Sequence, residues 1–345
     1  RIGRPSLVPE LQLHLATDMS PIWQATQDVL DDAGVPPPYW AFCWPGGQAL
    51  ARAVLDQPSL VAGKRVLDFA AGSGAYRAAD VRAAYLERVA GDVKLARPMK
   101  IVVDCGNGIA GSIAPELIRR LDCEVIPLYC DVDGRFPNHH PDPGKLENLQ
   151  DLIAKVKAEG ADLGLAFDGD GDRLGIVTRD GQNIYPDRQM QLFAQDVLSR
   201  VPGGHIVFDV KCSQRLAPAI RAAGGDPLMY RTGHSLIKAK MKEIDSPLGG
   251  EMSGHIFFKE RWFGFDDGLY AAARLLEIIA IREQNLDAIM AGLPECYCTP
   301  EIKIPVPEDD KHQIIKEILL ESSQPADVRV IAIDGLRLEY AEGWG

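Results

Sequence analysis

The sequence predicts an α/β fold of consecutive three-layer α/β/α domains, and three observations predict it. Apolar runs of strand length alternate with helical patterns that carry one apolar face. The strands empty into polar, glycine-bearing loops, and the same order of elements runs twice between residues 75 and 294.

The first unit is read over residues 75–181. Val81, Ala84, Tyr85 and Val89 fall on one helix face, and Lys100 to Asp104 is a strand ending in the turn Asp104-Cys105-Gly106-Asn107-Gly108. That turn serves tight packing or phosphate contact equally well. A helix to about Leu121 and a strand from Glu124 to Tyr129 follow. Phe136 to Pro143 is a polar, proline-bound loop. Its adjacent His139 and His140 point in different directions, which favours loop anchoring over metal binding. A helix with Leu149, Leu152, Ile153 and Val156 leads to the strand ending at Phe167, and Asp180-Gly181 turns a hairpin.

The second unit is read over 182–294. Asp187 caps a helix with Met190, Phe193 and Val197; a strand from His205 to Val210 ends at Lys211-Cys212-Ser213; another from Pro227 to Arg231 ends at Thr232-Gly233-His234-Ser235. Gly249 to His255 is a third polar loop, followed by an aromatic stretch from Phe257 to Gly268 and a helix to Ile281. Residues 295–345 add a strand from Glu301 to Val306, a helix from His312 to Leu320 and a hairpin at Asp334-Gly335.

The chemistry is concentrated where Phe167 gives way to Asp168-Gly169-Asp170-Gly171-Asp172-Arg173. Three carboxylates this close repel one another and stay ionised at neutral pH when a cation sits among them; the glycines let the backbone fold tightly enough for them to converge. Oxygen ligands on a short rigid loop suit Mg²⁺. A calcium loop is excluded, because Arg173 stands where that motif needs its turn glycine and Arg179 where it needs its bidentate glutamate. Arg173, Lys211 and Lys238 supply cations, His234 and His255 imidazoles, and Glu251 and Ser253 groups suited to sugar hydroxyls. A divalent metal facing basic groups suits phosphoryl transfer, so a phosphosugar site is expected.

Composition narrows the class. A net charge of −12 argues against nucleic acid or an anionic membrane as the main partner. The longest apolar helix, Leu269 to Ile281, carries Arg274 and Glu277 and is too short to span a bilayer. Seven cysteines without framework spacing fit reduced thiols in a cytoplasmic compartment, and Cys296 with Cys298 lacks the second pair that a zinc site needs. Arg1 in place of Met leaves room for an upstream segment or targeting peptide.

Residues 1–74 read differently. Ser20-Pro21 opens a helix that Gly34 closes, the aromatic loop Pro36 to Gly47 contains Trp44-Pro45-Gly46-Gly47, and Arg65 to Ala71 is a strand entering Gly72-Ser73-Gly74. This stretch resembles the start of a class I S-adenosylmethionine-dependent methyltransferase, in which Asp68, Gly72 and Gly74 would cradle the cofactor. The further strands and the ribose-binding acid of that fold do not follow Gly74, so neither S-adenosylmethionine binding nor methyl transfer is expected.

From Ala75 onward the segments "GDVKLARPMKIVVDCGNG", "FPNHHPDPGK", "AFDGDGDRLG", "FDVKCS", "TGHS", "GEMSGH" and "FFKERWFGFDDG" resemble bacterial members of the α-D-phosphohexomutase superfamily, the phosphomannomutases/phosphoglucomutases. The resemblance implies that Asp168, Asp170 and Asp172 bind Mg²⁺ and that Arg173, Lys211 and His234 contact the phosphosugar. It further implies that Glu251 and Ser253 hold sugar hydroxyls and that His255, beside Arg173, is a candidate for proton transfer. The implied reaction interconverts hexose 1-phosphate and hexose 6-phosphate through a bisphosphate, with a sugar bisphosphate as activator. Mannose and glucose phosphates are both expected, since the same hydroxyl contacts serve either epimer.

The same resemblance places residues 75–181 and 182–294 as the second and third domains of such an enzyme and 295–345 as a truncated fourth. A "TASHNP"-type serine loop, which carries the phosphoryl group in that family, does not occur in this sequence, and the methyltransferase-like piece stands in its place. Weak Mg²⁺ binding with negligible turnover is therefore expected. The rival expectations are a noncatalytic sugar-phosphate-binding remnant and a junction of two unrelated coding sequences near Gly74.

Overall fold

In the computed structural model, residues 2–3, 13–14, 81–282, 284–293, 304–307, 310–321, 328–341 and 343–345 are described. The chain divides into two compact units, Arg1–Val81 and Arg82–Gly345. In the first, β1 (Ile2–Gly3) pairs antiparallel with β2 (Leu13–His14).

The second unit opens with α1 (Arg82–Asp92), which buries Leu86 and Val89. Its first sheet comprises β3 (Lys100–Asp104), β4 (Glu124–Leu128), β5 (Leu163–Phe167), β6 (Leu174–Thr178) and β7 (Asn183–Ile184), in the order β4-β3-β5-β6-β7. β3 runs parallel to β4 and β5, and the hairpin β5–β6–β7 is antiparallel. α2 (Ala114–Arg120) and α3 (Gln150–Glu159) make the crossovers. Side chains alternate across the sheet as the pleat requires: Ile101, Val103, Leu165 and Phe167 enter one core, whereas Val102, Ala166 and Val177 meet Leu152 and Val156 of α3. At Gly164 a Cβ would come within 2.7 Å of the Leu152 side chain, so the missing side chain sets how closely α3 can lie.

α4 (Pro186–Arg200) leads into a second sheet of β8 (His205–Asp209), β9 (Asp226–Tyr230), β10 (Leu248–Gly250) and β11 (Ile256–Phe258), ordered β11-β10-β8-β9. β8 is parallel to β9 and β10, and β10 antiparallel to β11. The four strands β3 to β6 and the four strands β8 to β11 both run second-first-third-fourth with only the fourth reversed, and β7 extends the first sheet beyond its fourth strand, so the repetition read from element order is a repetition of topology. α5 (Leu216–Ala222) and α6 (His234–Glu243) make the second pair of crossovers.

α7 (Gly268–Ile281) touches β5 and β6 of the first sheet, β11 of the second, and α4. Contact on all sides explains why it is buried from Gly268 to Ala280. The charge inside it is neutralised: Arg274, with no exposed surface, holds Asp196 and Glu260 at 2.9 Å each. α8 (Leu286–Ala291), α9 (Lys311–Glu321) and the hairpin of β12 (Arg329–Ile331) and β13 (Arg337–Glu339) complete the chain.

Two local expectations are corrected. Asp187 does not cap α4; Tyr185 holds that position with Pro186 beginning the helix, and the Asp187 carboxylate accepts from Ser213 N at 3.1 Å. Residues 304–307 form no strand, and 301–303 lie outside the described residues.

Candidate active site

The loops that follow β5, β8 and β10 meet at the strand ends, where an α/β sheet opens a crevice. Asp168 is 1% exposed and fully engaged: Oδ1 accepts from Gly171 N and Arg173 N at 3.1 Å, and Oδ2 from Arg173 Nε at 2.5 Å. Gly171 makes the turn with φ +82°, a conformation that favours glycine. Carboxylate oxygens of Asp168, Asp170 and Asp172 lie within 4.8 Å of one another. Burial and then the Asp168 charge push the Asp170 carboxyl above its ordinary value. Asp172 Oδ1 is buried and makes no hydrogen bond, its neighbour of opposite charge being His255 Nε2 at 3.4 Å. Mutual repulsion among three carboxylates and an all-oxygen donor set fit a hard divalent cation.

Arg173 is clamped a second time by Asp142 Oδ1 at 3.3 Å, from the loop that carries His139 and His140. His139 anchors that loop, its Nε2 lying 3.1 Å from Asp104 Oδ2.

The Gly249–His255 loop is joined to the acidic loop through the backbone: Leu174 N donates to Gly254 O at 3.2 Å. Glu251, 2% exposed, accepts from Gly233 N at 2.6 Å, which ties it to the loop before His234. His255 Nδ1 lies 2.8 Å from Ser253 Oγ and 3.2 Å from Glu251 Oε2, and its Nε2 is 3.4 Å from Asp172 Oδ1. Burial disfavours the imidazolium, yet Asp172 and Glu251 on either side raise it to about 9. His234 stacks on His255 with centroids 5.7 Å apart, and its Nδ1 is 3.3 Å from Asp266 Oδ2. Lys238 donates to the same carboxylate at 2.8 Å.

Lys211 stands on the loop after β8, and that loop abuts the Glu251 loop through Asp209, whose Oδ1 accepts from Met252 N at 3.2 Å and from Cys212 Sγ at 3.1 Å. Burial pushes the Asp209 carboxyl up to about 6. Arg337 of β13 is buried and donates to the carbonyls on either side of Lys211, Val210 at 2.5 Å and Cys212 at 2.7 Å.

Two family models match, "Phosphoglucomutase/phosphomannomutase, alpha/beta/alpha domain II" over residues 83–181 and domain III of the same description over 185–297. A phosphomannomutase/phosphoglucomutase of Pseudomonas aeruginosa is 58% identical over 278 residues, 81% of this chain and 60% of that protein. A phosphoglucomutase of Neisseria gonorrhoeae is 49% identical over 312 residues, 90% of this chain and 68% of that protein. The chain belongs to the phosphoglucomutase/phosphomannomutase family. A solved structure of a phosphoglucomutase/phosphomannomutase family protein from Burkholderia thailandensis superposes with a TM-score of 0.74 at 52% identity, covering 86% of this chain and 61% of that one. The chain thus spans about 60% of the length of the first curated relatives it matches.

In this phosphoglucomutase/phosphomannomutase family member, Asp168, Asp170, Asp172, Arg173, His234, Glu251, Ser253 and His255 form one connected network, with Lys211 on the neighbouring loop. Asp142, Asp209, Asp266 and Arg337 hold that network in place. Sequence alone does not single them out: the one signal is that each lies in or beside a polar loop, and an anchoring role depends on partners between 28 and 127 positions away. Asp68, Gly72 and Gly74, with Trp44 to Gly47, Cys296 and Cys298, lie outside the described residues. Among the described residues no helix is long and apolar enough to cross a membrane.

Proposed function

We propose that residues 82–293 supply the metal- and sugar-binding part of a phosphohexomutase, which interconverts hexose 1-phosphate and hexose 6-phosphate through a bisphosphate intermediate. The observation that carries this reading is the convergence of three aspartate carboxylates, within 4.8 Å of one another, beside Arg173 and His255. Mg²⁺, when bound, would neutralise charge developing on the oxygens of the transferring phosphoryl group.

The remaining steps belong to side chains. Arg173, held at Nε by Asp168 and at Nη1 by Asp142, has its guanidinium fixed for a phosphate oxygen, so little rotamer freedom is lost on binding. Glu251 and Ser253 accept from and donate to sugar hydroxyls while orienting His255 at Nδ1. His255 Nε2 holds the proton to be exchanged with a sugar hydroxyl. Lys211 adds positive charge, and His234 a ring nitrogen, for contact with the phosphosugar.

The reading is tested by calorimetry with Mg²⁺ and glucose 1-phosphate. Asp172→Asn is expected to lose metal binding and Glu251→Gln to lose sugar affinity with metal binding retained. Wild-type affinities in both variants would sink the assignment.

A further inference from the structure

Cys105 follows the last residue of β3 and Cys130 lies two residues beyond the end of β4, the parallel neighbour whose Leu128 is in register with Asp104. Beyond the strands the backbones stay stitched, with Cys105 N donating to Leu128 O at 3.1 Å and Asn107 N to Tyr129 O at 2.7 Å. The two sulfurs are therefore held at 3.6 Å, in hydrogen-bond contact as free thiols. Neighbouring strands lie ~4.8 Å apart, within the ~4.4–6.8 Å Cα separation that a disulfide spans. Cys105 has no exposed surface, whereas Cys130 is only half-buried. Of the two residues, Cys130 is the one that offers surface to a reagent from solvent.

We propose that Cys105 and Cys130 are a thiol–disulfide modification site, oxidised to an intramolecular disulfide by a low-molecular-weight disulfide of the glutathione class. The hydrogen bond to Cys130 and then burial push the Cys105 thiol up, so Cys130, the less buried of the two, is the one that reacts first. Cys130 S⁻ attacks one sulfur of the reagent, forming a mixed disulfide and expelling the other half as a thiolate. Cys105 gives up its proton and attacks Cys130 Sγ, expelling the second half. The protein thiols lose two electrons and two protons, and the reagent gains them as two thiols. The new bond lies at the base of the active-site loops: four residues on, Ile109 N donates to Gly169 O at 3.0 Å.

The test is exposure of the full native chain to oxidised glutathione, alkylation of remaining thiols, digestion and mass spectrometry. The expected result is a dithiothreitol-reversible link between the Cys105 and Cys130 peptides, with Cys123 and Cys212 still alkylated as free thiols. Cys105→Ser is expected to stop at a stable glutathione adduct on Cys130, and Cys130→Ser to leave Cys105 unmodified. A persistent adduct on Cys130 in the unaltered chain, or both thiols still free when denatured chain is fully oxidised, would overturn the proposal.

Discussion

Arg173 and His255 come from the loops of two different sheets, yet they face each other across an antiparallel backbone bridge, with Leu174 N donating to Gly254 O at 3.2 Å. The acidic loop and the Glu251–His255 loop are therefore registered by main chain rather than by flexible side chains. That register explains how Asp172 and His255 reach 3.4 Å from positions 83 residues apart.

The joint has a third member. Gly268 N donates to Gly171 O, and a Cβ at Gly268 would lie 2.8 Å from both Gly171 O and Arg173 O. Both obstacles are backbone, so relief requires the acidic loop to move. Gly268→Ala is expected to cost ~1–3 kcal/mol in urea unfolding, as overpacking does, and to weaken Mn²⁺ binding in calorimetry. Unchanged metal affinity would show that the loop accommodates the methyl group.

Arg337 acts on Lys211 from the far end of the chain. Its guanidinium occupies the Val210 and Cys212 carbonyls, so Arg337→Met would leave buried acceptors without donors at ~1–3 kcal/mol. Lower thermal stability is expected, together with faster amide exchange in residues 210–213 and weaker glucose 1-phosphate binding. Loss of stability without weaker binding would separate the clamp from the site.

The parts of this architecture legible in sequence are those set by local pattern. The apolar runs Ile101-Val102-Val103 and Leu163 to Phe167 give the strands, and Asp168 to Arg173 announces its own chemistry. What depends on distant partners is not legible. Asp187 looks like a helix cap because an acid near a helix start usually is one, but Ser213 N competes for its carboxylate. Asp266 sits in an aromatic stretch that gives no hint of His234 and Lys238 as its partners. Arg274 reads as an interruption of an apolar helix, whereas Asp196 and Glu260 make it part of the core.

Asp267 caps α7 through Tyr270 N at 2.9 Å and accepts from Tyr85 Oη at 2.9 Å. Burial outweighs these bonds and pushes its carboxyl from 3.8 up to about 6. A carboxyl raised in the folded state binds its proton more tightly there than in the unfolded chain. Its contribution is therefore most favourable below about pH 4 and is lost as pH rises through about pH 6, a swing of ~3 kcal/mol. Asp267→Asn keeps a capping side chain and cannot ionise. The unfolding free energy of the wild type minus that of the variant should fall across this window and level off above it. A difference independent of pH would show that Asp267 is not buried as a charge.

Substrate binding and turnover should separate in a polypeptide of residues 1–345 assayed by itself. The groups proposed to bind metal and sugar lie between Asp168 and His255, whereas no serine loop of the "TASHNP" type occurs in the sequence. Glucose 1-phosphate should bind with an affinity that rises when Mg²⁺ is present, because charge on the phosphate and on the three aspartates would otherwise repel. A coupled assay for glucose 6-phosphate, with glucose 1,6-bisphosphate added, should give no rate above background. Family-like turnover would mean that another group carries the phosphoryl. Absence of binding would mean that Arg173, Lys211 and His234 do not suffice without further contacts.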